Sequence, residues 1–211
     1  MVWSLLPAYL EGTLITIQVT LMALAAGLVG GLAVAMLRIY GSPWISRLAV
    51  GYITVTRALP EIVALFLFTF VVGAVIPLEP IVAAVLALAT ISAAYQAEIL
   101  RSAIKSLGPS QMLAARAVGM SGVQAVSFIV LPQAFRRAIP GWSNEASGMI
   151  KASALVYALG VPELMRQAQY VSARTLQPFI AFGVAAAIYL VLTLVANGGL
   201  RLLERKVAIP Q

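Results

Sequence analysis

Thr13–Leu37 is a run of 25 residues without one charged side chain. At about 1.5 Å of rise per helical residue it exceeds the roughly 30 Å hydrocarbon core of a bilayer, so it reads as a transmembrane helix. It begins too late and runs too long for a secretory signal peptide and is expected to be retained. Within it, Gly27 and Gly31 have the GxxxG spacing that lets another helix approach closely, either as plain packing or as a dimer contact. Composition agrees with a membrane chain: 62% of residues are hydrophobic and 10% charged.

Four more spans follow, at about Ala49–Val75, Pro80–Leu100, Arg137–Leu159 and Phe179–Leu200. Pro77 and Pro80 bracket a turn before the third. The fourth is the poorest, because Trp142, Asn144, Glu145 and Lys151 interrupt it. No internal repeat or low-complexity tract divides the chain. Residues 1–211 therefore read as one all-α integral membrane domain of about five transmembrane helices.

The net charge of +7 reports topology rather than nucleic-acid binding. With the N-terminus outside, the inner loops and tail hold eleven Lys and Arg residues, and the outside keeps only Arg166 and Arg174. The expected arrangement is N-terminus out and C-terminus cytoplasmic. Cys, His and Asp do not occur at all. Disulfides, thiol or imidazole metal sites and Ser-His-Asp or Cys-His nucleophiles are thereby excluded within this chain.

The cytoplasmic stretch of about residues 105–136 is the least like a plain loop. Pro109-Ser110 offers a helix start, Gly119 a stop, Ser121 with Gln124 a capping box, and Leu131-Pro132 a further break. Two short helices meeting at Gly119 are expected. By periodicity alone they could be a docking element or a re-entrant hairpin that seals the bundle.

The run AARAVGMSGVQAVSFIVLPQAFRRAIP resembles the cytoplasmic loop of ABC-importer permeases, whose pattern is EAA, three residues, G, nine residues, I, one residue, LP. Ala114, Ala115, Gly119, Ile129, Leu131 and Pro132 occupy those places, while Leu113 replaces the Glu. Further stretches, EGTLITIQVT, TRALPE, YQAEILRSAI and NEASGMIKASAL, are similar to the polar-amino-acid subgroup, the histidine, glutamine and arginine type. Ala58, Leu59, Ala152 and Ala154 depart from it.

The resemblance implies the type I ABC importer permease fold and a transport subunit that is not itself an enzyme. It implies two ATPase subunits carrying ATP and Mg, a second permease copy or paralogue, and an extracytoplasmic solute-binding protein. No cofactor is expected in this chain. The two short helices would be the coupling element, with Leu113, Ala117, Met120 and Val123 as its apolar face, Ala114, Ala115 and Gly119 in the motif, and Arg116 as a rim charge.

Charged residues inside spans cost at least about 2.5–3.5 kcal/mol each at mid-bilayer and usually have a role. Glu145 and Lys151 lie about 240° apart on an ideal helix and are expected to have different partners. They stand, with Asn144 and Ser153, as candidates either for contact with a zwitterionic amino acid or for interhelical pairing. Arg57 and Glu61, four residues apart, read as a structural pair on one helix face. Tyr95 and Glu98 read as packing and gate-anchoring groups. Importers of another small solute and ion-coupled secondary transporters remain alternatives, although the latter would normally show inverted repeats.

Overall fold

The computed structural model describes residues 6–207, all of whose regular structure is helical. Three helices are long and apolar enough to cross a bilayer: α1 (Leu6–Tyr40), α4 (Pro80–Ser106) and α8 (Pro178–Val207). Two bent pairs bring the number of candidate spans to five. One joins α2 (Pro43–Ala58) to α3 (Glu61–Val75), and the other joins α6 (Gly122–Leu159) to α7 (Leu164–Thr175). A short helix, α5 (Ser110–Ala117), lies between α4 and α6.

The second span is therefore not the single helix expected over Ala49–Val75. Pro60 has no N–H to donate and disfavours helical geometry at the residue before it. Leu59 and Pro60 are both extended, with ψ of 134° and 138°, and the chain turns by 106° between α2 and α3. The expected Arg57–Glu61 pair is lost with the shared helix: neither residue joins an ion pair among the described residues.

The fourth span differs in the opposite sense. The break expected at Leu131-Pro132 is absent: Pro132 follows directly on a π turn, Ala125–Val130, where Leu131 N–H reaches back to Val126 O, and the widened turn takes the proline into a continuous helix. The helix thus runs on from Gly122, and the second of the two short helices expected at Gly119 is simply its first turn. α6 also absorbs Pro140 in its interior. It ends at Gly160, whose φ of 84° is the left-handed conformation open to glycine, and α7 departs at 54°.

α4 is the most buried of the three long helices and α8 the least. Small residues allow this. Gly27 and Gly31 press the α1 backbone onto α4, where a Cβ on Gly27 would lie 2.7 Å from Ser92 Cβ and one on Gly31 2.9 Å from the Ala93 carbonyl. The GxxxG spacing serves packing within the chain. Three apolar clusters succeed one another along α1, around Tyr9, then Val19 and Ala23, then Ala35.

Candidate solute path and coupling segment

α5 ends in a complete Schellman motif. Gly119, at φ 85°, donates its N–H to Arg116 O, and Met120 N–H reaches back to Ala115 O at 3.1 Å. Two residues later the expected capping box is present: Gln124 N–H donates to Ser121 Oγ at 3.3 Å and Ser121 N–H to Gln124 Oε1 at 2.8 Å. Ser110, by contrast, is the first residue of α5 and caps nothing with its side chain. The result is a stiff corner.

Of the residues read as the coupling face, Leu113 is 66% exposed and Val123 79%, Ala114 and Ala117 are exposed, and Met120 is half-buried. Ala115 is buried instead. Arg116 is exposed but not free, donating to Met120 O at 3.1 Å across the corner.

Asn144 and Glu145 line a cavity of about 420 Å³ with Glu61 and Tyr95. Glu145 Oε1 accepts from Ser92 Oγ at 2.7 Å. Ser92 in turn accepts from Gln96 Nε2 at 3.0 Å, and the same amide donates to Leu24 O at 2.9 Å. The close approach at Gly27 is what brings the α1 carbonyl within reach of Gln96. Lys151 and Ser153 lie apart from this cavity. Lys151 is exposed, and Ser153 is fully buried, donating to Ile150 O at 2.7 Å. Glu145 and Lys151 accordingly have separate surroundings, as their spacing required.

A second cavity, of about 410 Å³, shares Tyr95, Ile99 and Gly141 with the first and continues it toward Ser106 and Arg137. The Arg57 guanidinium carbon stands 4.8 Å from the Tyr95 ring centroid, a cation–π contact in place of the expected acid pair. Glu98 is bridged by Arg38 from α1 and by Arg101 from its own helix. Glu98 thus ties α4 to α1, and Tyr95 meets α2 through Arg57.

Glu163 is a buried acid that the sequence reading missed. It lies at the start of α7, accepting from the N–H groups of Met165 and Arg166 at 2.8 Å each and from Tyr189 OH at 2.7 Å. Thr16 Oγ1 donates to it at 3.4 Å and accepts from Leu164 N–H. One carboxylate therefore caps α7 and ties it to α1 and α8. An acidic residue just before a polar helical run was the available signal.

Residues 27–209 match the family model for the binding-protein-dependent transport system inner membrane component. The octopine transport system permease protein OccQ of Rhizobium radiobacter is 35% identical over 210 residues, covering 93% of this chain and 89% of that one. The glutamine transport system permease protein GlnP of Escherichia coli (strain K12) is 32% identical over 211 residues, covering 99% and 96%. A chain from the structure of an amino acid ABC transporter with histidines aligns at a TM-score of 0.86 and 34% identity, over 95% of this chain and 94% of that one. A chain of the inward-facing MetNI methionine ABC transporter has a TM-score of 0.85 at 19% identity over 96% and 97%, and so shares the fold. The architecture is that of type I ABC importer permeases. The chain belongs to the family of binding-protein-dependent transport system inner membrane components, as a transport permease subunit and not an enzyme.

Proposed function

We propose that this permease forms the membrane path of an ATP-driven importer for a polar amino acid. Two ATPase subunits carrying ATP and Mg dock on it, a second permease completes the path, and an extracytoplasmic binding protein delivers the solute. The observation that carries the reading is Glu145: an acid in a transmembrane helix, facing a cavity with Asn144, held by Ser92 and joined to no arginine or lysine by an ion pair among the described residues. A positively charged α-ammonium group is the complement such a carboxylate lacks. Relatives named for octopine, glutamine and arginine transport support the solute class.

Residues 110–123 supply the coupling contact. Leu113, Val118 and Val123 project apolar surface. Full burial of each contributes about 1.5–3 kcal/mol. The Schellman corner and capping box keep the projection stiff, so displacement of the ATPase surface is passed to α4 and α6 rather than absorbed. The excess of Lys and Arg in the inner loops supports a cell-membrane protein with this corner and the C-terminus in the cytoplasm and the N-terminus outside.

Co-purification with the ATPase, an intact mass of the complex, and ATP-dependent uptake of labelled amino acids into vesicles test the proposal. A complex of two permease and two ATPase chains that accumulates a polar amino acid is expected. Accumulation driven by an ion gradient without ATPase subunits would overturn it.

A further inference from the structure

The second cavity has a charge pattern for which solute contact at Glu145 has no use. Its wall includes Arg57, Arg137, Ser102, Ser106 and Glu98. Glu98 is the single carboxylate there, and it is already bridged by Arg38 and Arg101, neither of which lines the cavity. Arg57 and Arg137 join no ion pair among the described residues. Arg57 rests against Tyr95, and Arg137 spends one arm of its fork on Ser106, donating from Nη1 to the carbonyl at 2.6 Å and to Oγ at 3.1 Å. Each guanidinium has five N–H donors, so most of this donor capacity has no described partner.

Two guanidinium groups with the Ser102 hydroxyl beside them, and the local acid already compensated, form a receptor for an anion; Ser106 donates its own hydroxyl hydrogen to Ala103 O at 2.7 Å and serves to hold Arg137. The planar fork matches a carboxylate in two parallel hydrogen bonds, a geometry that lysine does not offer. The cavity is also in the right place. It continues from the Glu145 cavity through Tyr95, Ile99 and Gly141 and ends at Ser106, beside the coupling segment. We propose that Arg57 and Arg137 form a second station, which takes the carboxylate of an amino acid on the coupling-segment side of the path after its ammonium group has left Glu145. This assignment rests on the amino-acid reading above. One consequence is competition: solute already present on the ATPase side occupies the station and slows uptake.

The test uses the complete complex, with ATPase and binding protein, in vesicles of phosphatidylcholine with ATP inside. Only transporters whose ATPases face the lumen then work. L-arginine or L-glutamine is supplied outside, and the lumen is loaded with the same amino acid or with its decarboxylated analogue, agmatine or 4-aminobutanamide. The readout is the luminal concentration that halves uptake, which does not depend on how much complex each preparation holds. The amino acid should inhibit and its analogue should be weaker by about tenfold or more, since a charged hydrogen-bonding partner is missing. Arg57→Gln and Arg137→Gln should each raise the half-inhibiting concentration by about the same factor. Equal inhibition by the analogue, no luminal inhibition, or an unchanged value in both variants would overturn the site. The analogue comparison decides the matter on the unaltered complex even if a variant fails to assemble. A variant effect seen only when phosphatidylglycerol is added assigns the guanidinium groups to lipid phosphate and also overturns it. Uptake of neither amino acid by the unaltered complex would instead sink the amino-acid reading, and this station with it.

Discussion

Ser92 on α4 donates its hydroxyl hydrogen to Glu145 on α6 at 2.7 Å, joining helices through residues 53 positions apart. The bond fixes one carboxylate oxygen, and no other described group donates to this side chain. Glu145→Gln keeps the size and removes the charge. If the carboxylate meets a solute ammonium group, the variant should change the ranking of basic, neutral and acidic amino acids by about tenfold or more. Uptake of several labelled amino acids, at matched amounts of complex and with the binding protein's own affinities measured, checks this. An unchanged ranking with a lower melting temperature assigns Glu145 to structure alone.

The approach of α1 to α4 predicts a packing defect. Gly27→Val puts a Cβ 2.7 Å from Ser92 Cβ and 2.8 Å from its hydroxyl. The helices must separate, which costs about 1–3 kcal/mol for overpacking. The thermal midpoint of the permease in detergent should fall, whereas Gly183→Ala on α8, where an added Cβ meets nothing within 4 Å, should leave it unchanged.

Glu163 makes a sharper pair of variants. Glu163→Ala strips an acceptor from two backbone N–H groups and from Tyr189 and Thr16 in a fully buried position. Lost capping and unsatisfied donors together should cost about 2–4 kcal/mol. Glu163→Gln retains one acceptor oxygen and should cost less. Equal melting of both variants and the unaltered chain would show that α7 is held by its apolar face alone.

Charge counting predicts the sidedness of the two exposed elements. A cysteine at Ser110 on α5 should be protected from an impermeant thiol reagent added outside cells, and one at Ala173 on α7 should react. The chain has no cysteine of its own, so the background is nil. The reverse pattern would invert the topology.

Local signals were legible where the chain decides its own geometry. Gly119 and the Ser121–Gln124 box could be read directly, because each satisfies backbone groups a few residues away. The three unbroken spans were legible from apolar length. Spacing misled where a break or a continuation was at stake. Arg57 and Glu61 look paired at four residues until Pro60 turns the chain between them, and Leu131-Pro132 looks like a stop although the π turn before it carries the proline inside a continuous helix. Long-range partners had no local signal: Arg38 meets Glu98 across 60 positions and Glu163 meets Thr16 across 147. Asn144 and Glu145, which line the first cavity, stood out in the sequence because polarity inside a span is conspicuous. Ser92 and Gln96, which orient that site, passed as ordinary residues of an alanine-rich helix.

If the corner at residues 110–123 transmits ATPase movement to an amino-acid path, ATP hydrolysis by the assembled complex depends on its exposed side chains. Leu113 and Val123 are 66% and 79% exposed, so Leu113→Asp and Val123→Asp leave the permease's own packing intact. Each replaces apolar contact with a charge that must be desolvated on docking, at about 2 kcal/mol or more. Stimulation of hydrolysis by loaded binding protein should fall at least about tenfold in each variant, with uptake falling in parallel. Normal stimulation and uptake in both, in complexes recovered at the usual yield, would show that this corner does not couple the ATPase to transport.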